Sequence, residues 1–207
     1  NWTRSVDRRV EHGLFRDADK VILNCETSLQ TYRDAYPDLP GDRLTAIRNA
    51  FDPRQRPPSA GDIPPDEGPI RLLHFGNCYG PRRLETMLRA MALVRERRPD
   101  APEVVLENLG RVGTADLDLA AELELRDQFR HGVFVPLADG LERLAKADLA
   151  VLVAYGDETL YIPAKLYDYL LAQASVACIT QPGELADIVE NTGVGEAIRP
   201  GDVEGAA

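Results

Sequence analysis

Two groups of basic side chains follow prolines at positions where helices are predicted to begin. Arg82 and Arg83 follow Pro81, and Lys165 lies two residues after Pro163. Proline is favoured at the first helical position, so both groups are expected in an opening turn. Cations at this positively polarised end cost a few tenths to about 1 kcal/mol each, and a bound phosphate reverses that cost.

Other predicted helices of the chain provide an internal control. Their opening turns carry acids, as helix N-termini prefer: Asp116 and Asp118, Asp139 and Glu142, and Glu184. We therefore predict that Arg82, Arg83 and Lys165 together hold a diphosphate-like anion. The competing interpretation is a solvated helix start for the arginines, and for Lys165 a surface ion pair with Asp168 worth ~0.2–0.5 kcal/mol.

The loop at residues 76–80 contains two glycines and directly follows an apolar run. Gly76 is predicted to let the anion approach the backbone closely. The loop lacks the glycine spacing of a dinucleotide fingerprint, and the chain has no Walker-type GK[ST], so NAD binding and ATP hydrolysis are disfavoured. The glycines of residues 110–113 are interpreted as a plain turn.

Asp157 and Glu158 follow another apolar run, at the edge where Lys165 is expected. They could accept hydrogen bonds from sugar hydroxyls, or simply be solvated loop acids. The three histidines lie far apart in the sequence, and His74 is predicted to be a packed, satisfied core residue. No catalytic triad or metal cluster is indicated, so neither catalytic residues nor a metal ligand is assigned.

Cysteine use, charge and hydropathy limit the protein class. The three cysteines, Cys25, Cys78 and Cys178, lie in or beside apolar runs, which favours buried free thiols in a cytoplasmic protein. The net charge of −10 over 207 residues disfavours nucleic acid as a partner. No apolar stretch approaches the ~20 residues that span a bilayer.

Short apolar runs alternate with segments of helical period after residue 69. The predicted strands are 70–75, 104–109, 133–137, 149–154, 176–180 and 196–198, and the predicted helices are 82–98, 116–129, 140–147, 163–173 and 184–191. This alternation predicts an α/β fold with a doubly wound parallel sheet. Such sheets bind ligands beyond the carboxyl ends of their strands.

A Pro-rich segment divides the chain. Residues 53–69 are predicted to be a linker, and residues 1–52 the tail of an incomplete N-terminal α/β domain with short strands near 21–23 and 44–47. Residues 70–207 form the predicted ligand-binding α/β domain, expected to lack its last helix. The absence of an initial Met also leads us to expect a fragment of a longer protein.

Four segments together resemble the GT-B-fold glycosyltransferases, in particular the retaining group around family four. Residues 19–28 are similar to its "D-x-V-I-x-x-S" strand, and residues 47–53 to its "I-P-N-G-F-D" entrance to the interdomain linker. Residues 70–83 resemble its "h-x-G-x-x-Y-G-x-R" strand and loop. Residues 162–170 resemble its "h-P-x-K-h-x-E-Y-h" helix, the most specific of the four.

The resemblance implies a Rossmann-like, nucleotide-sugar-binding half and a transferase of the hexosyltransferase type. Gly76, Arg82 or Arg83, and Lys165 would contact the donor diphosphate, and Asp168 would hold the ribose hydroxyls. Asp168 is one methylene shorter than the family's usual Glu.

The family's commoner subgroup also has a glutamate where this chain has Leu160. Asp157 and Glu158 therefore remain only candidate donor-sugar contacts.

The implied reaction moves a sugar from a nucleoside diphosphate sugar to an acceptor hydroxyl. The resemblance calls for neither a cofactor nor a metal ion. The acceptor is unknown, and a missing N-terminal domain would complete the enzyme. Two alternatives stay open: a GT-B-like nucleotide-sugar epimerase, and a non-catalytic α/β interaction module.

Overall fold

The computed structural model describes residues 2–58, 68–132, 134–154 and 160–207. The described residues form two compact units, one of residues 2–49 and 160–162, the other of the remainder. The predicted domain bounds at residues 52 and 69 stay predictions. Within the predicted linker, Pro57 is buried and Arg56 hydrogen-bonds Gln173, so the described part of this segment does pack.

The first unit contains two helices and a pair of parallel strands. These are α1 (Trp2–Asp17), β1 (Val21–Leu23), α2 (Glu26–Ala35) and β2 (Leu44–Ala46), with Val21 opposite Leu44. Its core contains Leu29, Tyr36, Leu39 and Leu44. The predicted apolar runs at 21–23 and 44–47 are confirmed as strands.

The second unit is a six-stranded parallel sheet with helices between the strands. It contains a 3₁₀ turn (Pro53–Gln55), β3 (Ile70–Phe75), α3 (Glu85–Arg97), β4 (Val104–Leu109), α4 (Thr114–Glu122), β5 (Phe129–His131), α5 (Leu137–Ala145), β6 (Leu149–Ala154), α6 (Ala164–Leu171), β7 (Val176–Thr180), α7 (Glu184–Asn191), β8 (Gly195–Ile198) and α8 (Val203–Ala206). The predicted doubly wound α/β fold is confirmed.

The strand order is β5-β4-β3-β6-β7-β8, so the direction of winding reverses between β3 and β6. Right-handed crossovers then place α3 and α4 on one face of the sheet and α5, α6 and α7 on the other. On the first face, strand residues such as Leu72 and Val151 pack against Met87, Leu88 and Leu119 of the helices. The reversal creates a crevice at the carboxyl ends of β3 and β6, where open α/β sheets bind ligands.

At this reversal, a tyrosine hydroxyl joins β3 to β6. The strands pair at Leu72–Leu149 and Leu73–Ala150. Beyond these pairs, the hydroxyl of Tyr169 on α6 accepts a hydrogen bond from Phe75 N and donates one to Val151 O, both 3.0 Å long. This side chain therefore fixes α6 against the end of β3 and the middle of β6.

The predicted strand at 133–137 is wrong. The fifth strand of the chain is Phe129–His131, which pairs with residues 106–108 of β4. It ends at Gly132, whose φ of +85° leaves the extended region, and Leu137 already begins α5. The buried Phe129 marks the true strand, whereas Phe134 in the predicted run is 64% exposed.

Two of the predicted helix bounds are also corrected. The predicted helix 82–98 begins only at Glu85, so Arg82 and Arg83 lie in the turn before it and Pro81 is not a helical residue. Gly80, with a φ of +58°, makes that turn. The predicted helix 116–129 ends at Glu122, because Glu124 adopts a left-handed φ of 55° and the amide of Leu125 returns to Ala120 O.

Candidate functional site

Lys165 lies in the first turn of α6, at the carboxyl edge of the sheet. The helix begins after Pro163, which is its N-cap residue rather than its first helical residue. No side chain caps this end, and its first turn contains no acid. In α3, α4, α5 and α7, by contrast, the first turn contains Glu85, Asp116, Asp139 or Glu184. The unpaired N–H groups and the ammonium of Lys165 thus share one helix end.

The ammonium of Lys165 packs directly against the backbone of Gly76, the residue after β3. A Cβ built on Gly76 would overlap both Nζ and Cε of Lys165. Gly76 also has a φ of +139°, which side-chain-bearing residues rarely adopt. Glycine is therefore required here both by the backbone conformation and by the lysine that covers it.

The Lys165 ammonium is poorly compensated. Burial lowers its pKa; the Cys78 thiol opposes this shift, the Arg82 charge adds to it, and Asp168 opposes it. Within the described part of the chain, Lys165 forms neither an ion pair nor a side-chain hydrogen bond. A partly desolvated cation without a counter-ion is electrostatically suited to bind an anion.

The two predicted arginines differ in their surroundings. Arg82 donates to the hydroxyl of Tyr79 at 3.0 Å and lies over its ring, 5.2 Å from the centroid. Tyr79 is 62% exposed and Arg82 is half-buried, and the charge of Arg82 acts on Lys165.

Arg83 instead joins the segment before α3 to α4. Its Nε lies 3.3 Å from the buried Asp116, its Nη2 donates to Ala115 O at 3.2 Å, and its Nη1 lies 2.9 Å from Glu85. These contacts account for Arg83 without any ligand.

Asp168 lies one turn beyond Lys165 on α6 and is partly buried. Burial raises the pKa of its carboxyl, and the charge of Lys165 only partly opposes this shift. A strong surface ion pair would lower that pKa instead. The contacts of the described residues therefore do not support the interpretation of Lys165 and Asp168 as a simple surface pair.

Comparisons with known proteins show a structural likeness without a sequence match. No protein-family profile and no curated protein matches the chain. Among solved structures, Anabaena HepE in complex with UDP has a TM-score of 0.69 at 16% identity, covering 96% of this chain and 55% of HepE. WaaG, a glycosyltransferase involved in lipopolysaccharide biosynthesis, has a TM-score of 0.70 at 17% identity, covering 90% of this chain and 51% of WaaG.

A third match is a point mutant of S. aureus TarM in complex with fondaparinux, α-GlcNAc-glycerol and UDP. It has a TM-score of 0.66 at 12% identity and covers 96% of this chain and 38% of TarM. The six-stranded parallel sheet with its helices matches the Rossmann-like half of the GT-B glycosyltransferase fold. The chain spans about half the length of HepE and WaaG.

The GT-B-like fold brings four of the predicted residues to the crevice between β3 and β6. Gly76 follows β3, Lys165 and Asp168 lie on α6, and the Arg82 charge acts on Lys165. Arg83 turns instead to α4. Asp157 and Glu158 lie outside the described residues.

A buried polar cluster, which the sequence did not predict, joins β3, β4 and the loop after β3. His74 Nδ1 lies 2.6 Å from Asn108 Oδ1, and Cys78 Sγ lies 3.6 Å from His74 Nδ1. Asn108 Nδ2 donates to Gly110 O at 2.8 Å. The prediction that His74 is packed and satisfied is confirmed, but its partners were not predicted. An asparagine inside the apolar run of β4 was the available signal.

Gly110 is more than the predicted plain turn. Its φ is +149°, and a Cβ there would overlap Gly76 O and lie 2.9 Å from Asn77 Oδ1. The loops after β3 and β4 therefore touch through two glycines.

The three cysteines are free and buried, as predicted. Among the described residues, no group of three or more His, Cys, Asp or Glu side chains is arranged to hold a metal ion. No helix in the described ranges is long and apolar enough to cross a membrane.

Proposed function

We propose that this chain is the nucleotide-sugar-binding part of a retaining, family-four-like hexosyltransferase. The observation that carries the proposal is the Lys165 ammonium, held against Gly76 at the sheet reversal without a carboxylate partner among the described residues. The UDP complexes of HepE and TarM, on the same fold, support the choice of ligand.

The donor diphosphate would bind between the start of α6 and the Gly76 loop. Its negative charge would compensate the Lys165 ammonium and the unpaired N–H groups of the helix together. Arg82 is the better second cation, because its charge already acts on Lys165, whereas Arg83 pairs with Asp116 of α4. We therefore rank Arg82 above Arg83 as a diphosphate ligand.

Asp168 is proposed to accept hydrogen bonds from the ribose hydroxyls. Because it lies one turn beyond Lys165 on α6, a nucleotide whose diphosphate meets Lys165 presents its ribose nearby. Asp157 and Glu158 remain candidate contacts for the donor sugar.

The reaction would break the bond between the sugar's anomeric carbon and the diphosphate oxygen, and form one to the acceptor oxygen. Lys165, Arg82 and the α6 terminus would stabilise the charge that develops on the departing diphosphate. We propose that these groups replace a metal ion in that role. The acceptor and the group that takes its proton are unassigned, and the rest of a complete GT-B enzyme would supply them.

The first experiment is a thermal-shift titration with UDP, GDP, ADP and dTDP. A nucleotide at 100 times its dissociation constant adds about 2.7 kcal/mol of stability, so even weak binding is measurable. We expect one of the four to stabilise the wild type and to lose this effect in Lys165→Ala. Lys146→Ala is the matched control, because Lys146 pairs with Glu142 on α5, away from this site.

Repeating the titration with EDTA tests the metal-free proposal, since stabilisation should persist. Flat curves for all four nucleotides would contradict the proposed function and favour a non-catalytic α/β module. A GT-B-like epimerase would bind the nucleotide sugar but release no nucleotide when an acceptor is added.

A further inference from the structure

The buried cluster of His74, Asn108 and Cys78 lies directly beneath the loops that form the proposed diphosphate site. We propose that His74 is a positioning residue: through Asn108 it fixes the loop after β4, and through that loop it sets the Gly76 backbone on which Lys165 lies. This inference rests on the proposed function, because it assigns the cluster a role in ligand affinity.

The direction of the hydrogen bonds follows from Asn108. Because its Nδ2 donates to Gly110 O at 2.8 Å, its Oδ1 must face His74 as an acceptor. The Nδ1 of His74, 2.6 Å away, is therefore the protonated nitrogen of a neutral ring. His74 thus holds the oxygen of the amide whose nitrogen binds Gly110 O.

Gly110 transmits this constraint to Gly76. Beyond the strand ends, Gly76 N donates to Leu109 O at 2.9 Å and Cys78 N donates to Arg111 O at 2.8 Å. The amide of Arg111 donates in return to Asn77 Oδ1 at 2.8 Å. The two loops are therefore joined on both sides of the Gly76–Gly110 contact, and displacement of one would displace the other.

Burial keeps the cluster electrically neutral. It lowers the pKa of His74 to about 3, and the nearby charge of Lys165 adds to this shift. It also raises the pKa of Cys78 to about 12. The charged groups that act on the cluster are Lys165 from α6, Arg82 from the turn before α3 and Asp116 from α4. At neutral pH the pair is consequently a hydrogen-bonding unit and not a nucleophile with its base.

Two variants of His74 separate positioning from stability. His74→Leu removes the donor at similar volume, whereas His74→Asn keeps a donor nitrogen at the δ position but leaves a larger void. If His74 acts only through packing, the leucine variant should be the better binder. If it acts through its donor, the asparagine variant should bind better although it is less stable.

The first measurement is the affinity for UDP, or for whichever nucleotide stabilises the wild type, by calorimetry. The second is the hydrogen-exchange rate of the Gly76 and Cys78 amides by NMR. For His74→Leu we expect about tenfold weaker binding and about tenfold faster exchange, as expected for the loss of one hydrogen bond. For His74→Asn we expect affinity within about threefold of wild type. If His74→Leu does not fold, His74→Gln takes its place in the comparison. The side-chain amide of glutamine lies one bond too far from the backbone to replace the Nδ1 donor of His74.

Equal affinities in the two variants, or unchanged amide exchange in His74→Leu, would overturn the inference. Failure of the proposed function is a different result, because the wild type itself would then bind no nucleotide. In that case the exchange measurement still decides whether His74 sets the Gly76 loop.

Discussion

Replacing Tyr169 by Phe should strongly destabilise the second unit, although it removes a single oxygen atom. That oxygen accepts a hydrogen bond from Phe75 N and donates one to Val151 O at the point where β3 and β6 separate. Tyr169 and Val151 are fully buried, so water cannot replace the bond to Val151 O, and the Phe75 N–H lies in a half-buried position. Burial also raises the pKa of Tyr169, which keeps its hydroxyl protonated as a donor.

The magnitude follows from the two backbone groups left without partners. Each unsatisfied buried group costs about 1–3 kcal/mol, and part of this is offset because the hydroxyl no longer has to be desolvated. We expect a loss of about 2–4 kcal/mol in the free energy of unfolding. For a chain of this size that corresponds to roughly 5–15 °C in the unfolding midpoint.

Urea unfolding followed by far-UV circular dichroism measures the effect. Tryptophan fluorescence is unsuitable, because the single tryptophan, Trp2, belongs to the first unit. Tyr79→Phe is the matched control, since that hydroxyl is bonded to Arg82 at an exposed position. A loss below about 0.5 kcal/mol for Tyr169→Phe, or one equal to the control, would refute the assigned bridging role.

Three further predictions concern His74, Gly110 and the cysteines. Since folding lowers the pKa of His74 from 6.5 to about 3, its stabilising effect is complete above pH 6.5 and is lost as the pH falls. Between neutral pH and pH 5, the free energy of unfolding of the wild type should fall by about 2 kcal/mol more than that of His74→Leu. Parallel pH profiles of the two proteins in urea unfolding would contradict this. Gly110→Ala should lower the free energy of unfolding by at least about 1 kcal/mol and abolish nucleotide stabilisation in thermal shift. Gly113→Ala is the control, because a Cβ there meets nothing within 4 Å. Similar curves for both variants would exclude the close approach of Gly110 to Gly76. The three buried thiols should react with Ellman's reagent only in denaturant, since burial raises the pKa of Cys78 and Cys178 to about 12; rapid reaction of the native protein would show that they are accessible.

The sheet was predictable where apolar runs are continuous, since a strand buried on both faces must be apolar at every position. Residues 149–154 are apolar throughout and 70–75, 104–109 and 176–180 are mostly so, and the structure confirms all four strands at those bounds. The short edge strand Phe129–His131 was not predictable in this way, because only Phe129 is buried and two exposed polar residues follow it. The apolar residues just beyond gave the stronger but misleading signal.

The sequence predicted the part of the site that depends on charges near a helix N-terminus. Lys165 in an opening turn without acids is confirmed, because that pattern depends only on sequence neighbours. Arg82 and Arg83 were misplaced into a helix, because the turn at Gly80 and the salt bridge from Arg83 to Asp116 are tertiary features. The hydrogen bond from His74 to Asn108 joins two strands, so the sequence shows a polar residue within each strand but not that the two residues meet.

The start of α6 combines features that a stable fold normally avoids. A helix end without an acid forgoes a favourable interaction of roughly 0.3–1 kcal/mol with the helix dipole, and the Lys165 charge there is unfavourable. Tyr169, in the next turn, ties α6 to β3 and β6, and Lys165 lies against a backbone position where only glycine fits. Under the proposed function these features belong together, because the cation and the N–H groups must already be in position before the anion arrives.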